Sequence, residues 1–392
     1  MTYRRRQGGR DAGFAPLGLR ELKEMAAKLD ALTTRMQAIG LFEGQPKSES
    51  IKSLRLFPVR EACAYLDVKH GALIARLLKN RTLPQGDQGD SLYRAFSVDE
   101  IRTLQLAMGV PPRRPLGSVP LTISVCNLVR GGGKTVTAVH LSQYLCLRGY
   151  HVLMIDLDES ATLSKAFGCR PQVEAQATRA LTIQRTRWPG LDLIAGTPGR
   201  WDVEMQLAQR ISDNFEILHH DILKQEIETV RDQYDVVVLD TGRGQGFVNL
   251  NAVYAADIHL IPVNPTKYGV ASLGVMFDFM AKSQELIEQV KRVSERRSFA
   301  YAVQLTQFNR SHCEHPYLAA LIRTSFPGTL TNEMPYSRFL QSAEEGLSLY
   351  EADWKTQAGR YRGASRAFKN DVESMTVVNR GIEATIQAAW TS

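Results

Sequence analysis

Residues 127–137 read NLVRGGGKTVT, and this stretch decides how the chain folds. It follows an apolar run at 121–126 and precedes a helical pattern that we expect at 135–148. A glycine loop between a strand and a helix is typical of a phosphate site, because backbone N–H groups and the helix N-terminus face the anion. The ordinary P-loop, G-x-x-x-x-G-K-[ST], requires a glycine where this chain has Leu128. The loop is therefore a variant of that motif.

Further apolar runs alternate with helical patterns and lie at 151–155, 191–195, 235–239, 257–263 and 299–305. Short buried strands separated by helices predict an α/β fold with a mostly parallel, twisted sheet flanked by helices. Asp156 and Asp158 follow one of these runs and Asp240 ends another. Because the carboxyl ends of parallel strands share one sheet edge, we expect these acids beside the glycine loop. Helix capping and turn formation are the alternative roles for Asp156 and Asp158.

These residue types predict a site for a nucleoside triphosphate with magnesium. The backbone of residues 130–136 would surround the phosphates, and Lys134 would reach the β- and γ-phosphates. Thr135, Asp156 and Asp240 would ligate or surround Mg²⁺, whose preferred ligands are oxygens. ATP and Mg²⁺ are thus the expected cofactors.

The composition predicts a soluble globular protein with more than one domain. The chain has 392 residues, of which 44% are hydrophobic and 23% charged. Its 5 cysteines show no paired spacing, which favours a reducing, cytoplasmic location. The net charge is +7, and residues 1–115 hold twenty Lys and Arg against twelve Asp and Glu. A basic front region indicates either a polyanion partner or a solubilising surface.

The front region divides into two expected parts. Apolar residues spaced three and four apart at 16–42 predict an amphipathic helix that self-associates or packs on its own chain. Residues 57–85 show a helix–turn–helix pattern with a second helix at 69–80, and an extended piece at 91–96 suggests a winged variant. Cations on and after the second helix would contact DNA, with a short helix capped at Ser97 closing the domain. The predicted DNA-contacting residues are Lys69, His70, Arg76, Lys79 and Arg81.

The expected domains are therefore 1–45 (basic N-terminus and dimerisation helix), 54–110 (winged helix–turn–helix), 111–120 (linker) and 121–392 (nucleotide-binding domain). Near the end, residues 354–369 carry five cations and no acid, among them Arg360, Arg362, Arg366 and Lys369. This cluster favours sequence-independent phosphate contact, with a solvated helix face as the alternative. The segment 375–390 has apolar spacing but only one cation, which favours core packing over a membrane-surface helix.

The order of the glycine loop, VLMIDLD at 152–158 and YDVVVLD at 234–240 resembles the ParA/MinD group of P-loop ATPases with a deviant Walker A motif. The stretches at 138–168, 188–197 and 345–384 resemble the RepA partition proteins of repABC-type plasmids. The resemblance runs from about residue 15 to the end. It implies an ATPase of DNA segregation that dimerises on ATP, binds DNA non-specifically and associates with the nucleoid. It also implies a ParB-type centromere-binding partner and repression of its own operon.

The family motif K-G-G-x-G-K-[ST] is only partly kept. Its first lysine, which reaches the partner's phosphates in the dimer, falls on Val129, and the next glycine falls on Arg130. Gly131, Gly132 and Gly133 match, and Lys134 and Thr135 complete the motif, with Val136 in place of a threonine. The resemblance makes Lys134 and Asp158 the catalytic residues, and Asp158 the group that orients the attacking water.

Two later motifs also depart from the family. Glu159-Ser160 replaces a Pro-Gln pair, and Gly242-Arg243 replaces two prolines. Arg130 has the right chemistry for phosphate, although a side chain there obstructs close backbone approach. We therefore expect ATP–Mg²⁺ binding with slow or absent hydrolysis.

Three functions remain open from the sequence. The first is an ATP-dependent partition protein with a fused DNA-binding domain. The second is a hydrolysis-deficient relative that acts as a nucleotide-gated DNA-binding repressor or adaptor. The third, less favoured, is a membrane-associated positioning ATPase of the MinD kind; we expect no membrane contact.

Overall fold

The computed structural model describes residues 54–87, 94–110, 113–169, 182–196, 220–291, 300–337, 340, 348–352 and 365–391. All of these belong to one compact unit, Leu54–Ser392. The amphipathic helix predicted at 16–42 lies outside the described residues.

A small helical module opens the described chain. Its elements are β1 (Phe57–Pro58), α1 (Val59–Leu66), α2 (His70–Lys79), β2 (Ala95–Phe96) and α3 (Val98–Ala107). β1 and β2 pair antiparallel, and Asp67 reverses the chain after α1 with a left-handed φ of 55°. The hydroxyl of Ser97 accepts a hydrogen bond from the N–H of Glu100, whose carboxylate accepts one from the N–H of Ser97, so α3 begins at a capping box. Both helices predicted within 57–85 are present.

The remaining strands form one sheet. They are β3 (Leu121–Val125), β4 (Val152–Leu157), β5 (Ile183–Arg185), β6 (Leu191–Ile194), β7 (Val236–Thr241), β8 (Ile258–Val263) and β9 (Ala300–Leu305). Their order is β5-β6-β4-β7-β3-β8-β9, and every neighbouring pair is parallel except β5 with β6. The predicted mostly parallel sheet is confirmed. β5 was not predicted, because three residues that include Gln184 and Arg185 give no apolar run.

Helices cover both faces of this sheet, and they are α4 (Lys134–Leu147), α5 (Thr162–Ala166), α6 (Ile222–Glu228), α7 (Phe247–Ala255), α8 (Lys267–Lys291), α9 (His315–Ser325) and α10 (Ser365–Thr391). Every residue of α4 except Thr135 is buried, as expected for a helix that packs against neighbours on all sides. The apolar face of α10 (Met375, Val378, Ile382 and Ile386) is also buried. The prediction that 375–390 packs into the core is confirmed.

The helical module and the sheet share one hydrophobic core. A single cluster of buried side chains includes Leu66 and Leu73 of the module, Val125 of β3 and Met375 of α10. Arg113, within the predicted linker, also binds Asp67 at 3.1 Å. The module is therefore packed against the nucleotide-binding part rather than tethered to it.

A buried polar cluster lies where the module, α4 and α10 meet. Arg148, just after α4, pairs with Glu383 of α10 at 3.0 Å and with Asp67 of the module at 2.7 Å. The hydroxyls of Tyr144 and Tyr150 donate to the same Glu383 carboxylate at 2.9 and 3.1 Å. We call these five residues the Arg148–Glu383 cluster. It joins three segments that are far apart in sequence.

Candidate nucleotide site

The loop after β3 has a backbone that favours glycine. Gly131 and Gly133 have φ values of +83° and +85°, in the left-handed region that other residues rarely adopt. A Cβ on Gly132 would lie 2.9 Å from a carbonyl oxygen of β8. Helix α4 begins at once with Lys134. This geometry is that of an anion-binding loop, with the helix N-terminus adding its partial positive charge.

Side chains from the neighbouring strand ends hold this loop in place. The Thr306 hydroxyl donates to the carbonyl of Gly132, and the Gln307 amide donates to that of Gly131, both at 2.9 Å. Asn127, buried beneath the loop, donates to a carbonyl of β8 at 3.0 Å. Thr306 and Gln307 were not predicted as site residues, although both directly follow the run predicted at 299–305, at the sheet edge where ligands bind.

A cavity of about 360 Å³ opens beside the loop. Its lining includes all the loop residues predicted to bind ATP, which are Arg130, Gly131, Gly132, Gly133, Lys134, Thr135 and Val136. Asp158, Ser160 and Thr162 border it on one side, and Arg243 lines it from the loop after β7. The structure thus brings the glycine loop and one predicted catalytic acid to a common cavity.

Lys134 is held close to the loop. Its Nζ donates to the carbonyl of Val129 at 3.2 Å, and the residue is buried. Burial lowers the pKa of Lys134, while Asp240 and Asp158 act in the opposite direction and Arg243 adds to the lowering. An ammonium group in this position faces the space where phosphate oxygens would enter.

Asp240 lies fully buried at the end of β7. Neither of its carboxylate oxygens has a hydrogen-bond partner of good geometry, although buried polar groups normally have one. Burial and the nearby Asp156 raise the pKa of Asp240 well above its usual range, against the lowering effects of Thr135 and Lys134. A buried carboxyl whose hydrogen bonds are incomplete, beside a phosphate loop, fits a bound cation.

Asp156 and Asp158 have different surroundings. The Asp156 carboxylate accepts bonds from the N–H and hydroxyl of Ser164, at 2.8 and 2.6 Å, and from the N–H of Asp158 at 3.1 Å. Asp158 lines the cavity, whereas Asp156 and Asp240 do not, and of these two only Asp156 has its carboxylate occupied by hydrogen bonds of good geometry. The metal-ligand role predicted for Asp156 is the one that this geometry favours least. Its carboxylate instead holds the turn that presents Asp158.

The far side of the cavity is apolar. Met334, Pro335, Tyr336 and Leu340 form this wall, and half of the Tyr336 surface is exposed. A flat aromatic ring next to a phosphate loop suits a nucleotide base. No sequence pattern indicated this wall.

The two departures from the family motif are adjacent residues at the start of the glycine loop. Val129 is 37% exposed and carries no charge, and Arg130 is exposed and lines the cavity. The loop therefore has a cation in Arg130, one residue after the position at which the family has its first lysine. Its substitution for the family lysine stays a prediction.

The predicted DNA-binding residues are partly described. Lys69, His70, Arg76, Lys79 and Arg81 are all exposed on or next to α2, whose Leu73 and Leu77 face the core. Arg366 and Lys369 are exposed at the start of α10. Arg360 and Arg362 lie outside the described residues.

Other predictions concerned membranes and metals. No helix in the described part of the chain has the length and apolarity to span a bilayer. The described residues also contain no group of three or more His, Cys, Asp or Glu side chains suited to a metal ion.

Known proteins share this fold and sequence. Residues 121–292 match the family described as "AAA domain". A candidate replication protein A of Rhizobium rhizogenes is 29% identical over 402 residues, which covers 95% of this chain and 96% of that protein. Protein SopA of Escherichia coli is 27% identical over 249 residues, or 59% of this chain and 62% of SopA. The ATP complex of a Cyanothece McdA variant has a TM-score of 0.51 at 18% identity, covers 68% of this chain and 97% of that one, and shows the fold alone.

One relative reaches higher identity over a shorter range. Maintenance of carboxysome distribution protein A of Synechococcus elongatus is 30% identical over 176 residues, which covers 42% of this chain and 67% of that protein. These similarities agree with the glycine loop, the strand order and the acids at the strand ends. The chain therefore belongs to the ParA/MinD-type family of P-loop ATPases.

Proposed function

We propose that this protein is an ATP-dependent DNA partition protein that binds ATP with Mg²⁺ in the cavity beside its glycine loop. The observation that carries the proposal is the fully buried carboxyl of Asp240, whose oxygens have no hydrogen bond of good geometry, near Thr135 and Lys134 of that loop. Similarity to a replication protein A along 95% of this chain supports the partition role, since it includes the helical module as well as the ATPase part.

Each cavity residue has a defined part. Lys134 and the N–H groups of the loop would bind the phosphates, and the Thr135 hydroxyl and Asp240 would hold the metal. When bound, Mg²⁺ neutralises phosphate charge. Asp158 accepts a hydrogen bond from the N–H of Ser160 at 2.8 Å and faces the cavity, where it orients the water that attacks the γ-phosphate. The ring of Tyr336 stacks on the base.

The partners follow from the two basic surfaces. The cations of α2 would read a specific DNA site, and Arg366 and Lys369 with the cations before them would contact phosphates without sequence preference. An ATP-dependent homodimer, a ParB-type partner and a nucleoid location complete the proposal. The membrane alternative is weaker, because the apolar face of α10 is used by the core.

A hydrolysis-deficient DNA-binding repressor or adaptor remains the second candidate. It is favoured by Val129, an exposed apolar residue where the family has the lysine that crosses the dimer. Loss of such a cation in related phosphoryl transfer lowers the rate by roughly 10³–10⁵.

Calorimetric titration with ATP and ADP, with and without Mg²⁺, tests the shared part of both candidates. Lys134→Ala should weaken ATP binding at least tenfold, and Asp240→Asn should make the affinity independent of Mg²⁺. Asp278→Asn is the control, because Asp278 lies in an exposed ion pair on α8. A wild-type chain that binds neither nucleotide would refute the proposal.

Phosphate release with and without DNA then separates the two candidates, with SopA measured alongside as a reference. DNA-stimulated hydrolysis at a similar rate favours the partition ATPase. ATP-dependent DNA binding without hydrolysis favours the repressor or adaptor.

A further inference from the structure

An ion pair joins Arg243, which lines the cavity, to Glu159, the residue after the cavity-lining Asp158. The Nη2 of Arg243 lies 2.9 Å from the Oε1 of Glu159. Arg243 belongs to the loop after β7, and Glu159 belongs to the turn after β4. The side chains are 43% and 57% exposed, so the pair is screened by water and easily exchanged. It joins the two segments that border the phosphate side of the cavity.

Hydrogen bonds fix the backbone at Arg243, whereas its side chain, in an exposed ion pair, can change position. The buried amide of Asn249 donates to the carbonyls of Arg243 and Gly244, at 3.2 and 2.7 Å. The N–H of Gly244 also donates to the carbonyl of Leu128 at 3.4 Å, which ties this loop to the glycine loop. The backbone of Arg243 is therefore held beside the glycine loop, while its guanidinium can change partners.

Few cations face this cavity. Among the described residues that line it, the basic ones are Arg130, Lys134 and Arg243. Lys134 already donates to the glycine loop itself. The hydrogen bond from Gly244 to Leu128 places the loop of Arg243 beside the glycine loop, and Arg243 accordingly lowers the pKa of Lys134.

We propose that Arg243 recognises the γ-phosphate of ATP from within the same chain, exchanging the Glu159 carboxylate for phosphate oxygens. The proposal rests on the nucleotide site proposed above and names the residue that distinguishes ATP from ADP. A guanidinium binds two phosphate oxygens in parallel, a stronger contact than the exposed pair that it leaves. ADP lacks the γ-phosphate, so the ion pair stays closed and continues to join the two segments.

Affinities for ADP and for a non-hydrolysable ATP analogue, measured with Mg²⁺, test this inference. Arg243→Gln should weaken binding of the ATP analogue about tenfold and leave ADP affinity unchanged, because one charge-assisted hydrogen-bond contact is lost. Arg243→Lys should recover part of the loss. Lys282→Gln, in an exposed ion pair on α8, is the matched control and should change neither affinity.

Glu159→Gln tests the exchange itself. It should strengthen binding of the ATP analogue about two- to fivefold, the range expected for release of an exposed ion pair. In the double variant with Arg243→Gln this gain should vanish, since the freed guanidinium is no longer present.

The outcomes separate the two proposals. Normal ADP affinity shows that each variant is folded with an intact loop. An Arg243→Gln variant with an unchanged ratio of ATP to ADP affinity would overturn the role of Arg243 and leave the proposed function standing. Absence of nucleotide binding in the wild-type chain would overturn both.

Discussion

Glu383→Gln should destabilise the fold by removing the charge that balances a buried arginine. Arg148 is 6% exposed and Glu383 3% exposed, so little water screens their contact. Breaking a buried ion pair costs about 3–5 kcal/mol, because one charge is left without compensation. In the Glu383→Gln variant, Arg148 retains its ion pair with Asp67, which is 2.7 Å long in the structure. The glutamine side-chain oxygen can still accept a hydrogen bond from Tyr144 or Tyr150. We therefore expect a loss of about 2–4 kcal/mol in the free energy of unfolding.

Urea unfolding followed by circular dichroism measures this loss. The double variant Arg148→Met with Glu383→Gln should recover at least half of it, since an apolar side chain needs no counter-charge. Glu228→Gln is the control, because it breaks an exposed pair with Arg231 and should cost less than about 0.5 kcal/mol. A Glu383→Gln variant as stable as the control, or a double variant less stable than the sum of the single changes, would refute the reasoning.

Three other predictions concern binding of the nucleotide base, unfolding of the protein at acid pH and binding of DNA. Tyr336→Ala should weaken ATP and ADP binding equally, by roughly tenfold, because one stacking contact with the base is lost. Tyr317 is an exposed tyrosine outside the cavity lining, so Tyr317→Ala should change neither affinity in calorimetry. Burial lowers the pKa of His140 to about 4, so the folded state binds this proton less tightly than the unfolded chain. Stability should then fall by about 1.4 kcal/mol per pH unit from about pH 6.5 down to 4, and His140→Gln should remove this part of the acid unfolding curve. Replacing Arg76 and Lys79 together by Gln should lower the slope of log affinity against log salt by about two in DNA-binding anisotropy; an unchanged slope would exclude α2 from phosphate contact.

The strands and the glycine loop could be predicted because their signals are local. Each predicted strand is an apolar run, and the loop is defined by three consecutive glycines before Lys134. Asp240 was predictable for the same reason, since it directly ends such a run. A residue at the carboxyl end of a parallel strand has its place set by the sheet, whatever the distant chain does.

The apolar wall was not predictable, because a distant pairing places it. The N–H of Phe308 donates to the carbonyl of Met334, and the N–H of Tyr336 donates to the carbonyl of Phe308, both at 2.9 Å. These bonds carry the segment at 334–337 to the cavity from beyond α9. For Asp156, by contrast, the sequence predicted the place in the fold but not the hydrogen bonds. Its bonds to Ser164 depend on side-chain packing that spacing does not reveal.

The proposed nucleotide site and the proposed DNA-binding surfaces are connected through one helix. α4 carries Lys134 at its start, and Arg148 follows its end. Between them, the carbonyl of His140 accepts a hydrogen bond from Asn379 of α10 at 3.2 Å, so α10 contacts the middle of α4. Closely packed interiors transmit displacement rather than absorb it. We therefore expect that a shift of the glycine loop on nucleotide binding would be transmitted to α10 and, through Asp67, to the helical module. The cations of α2 and those at the start of α10 would then respond to nucleotide together.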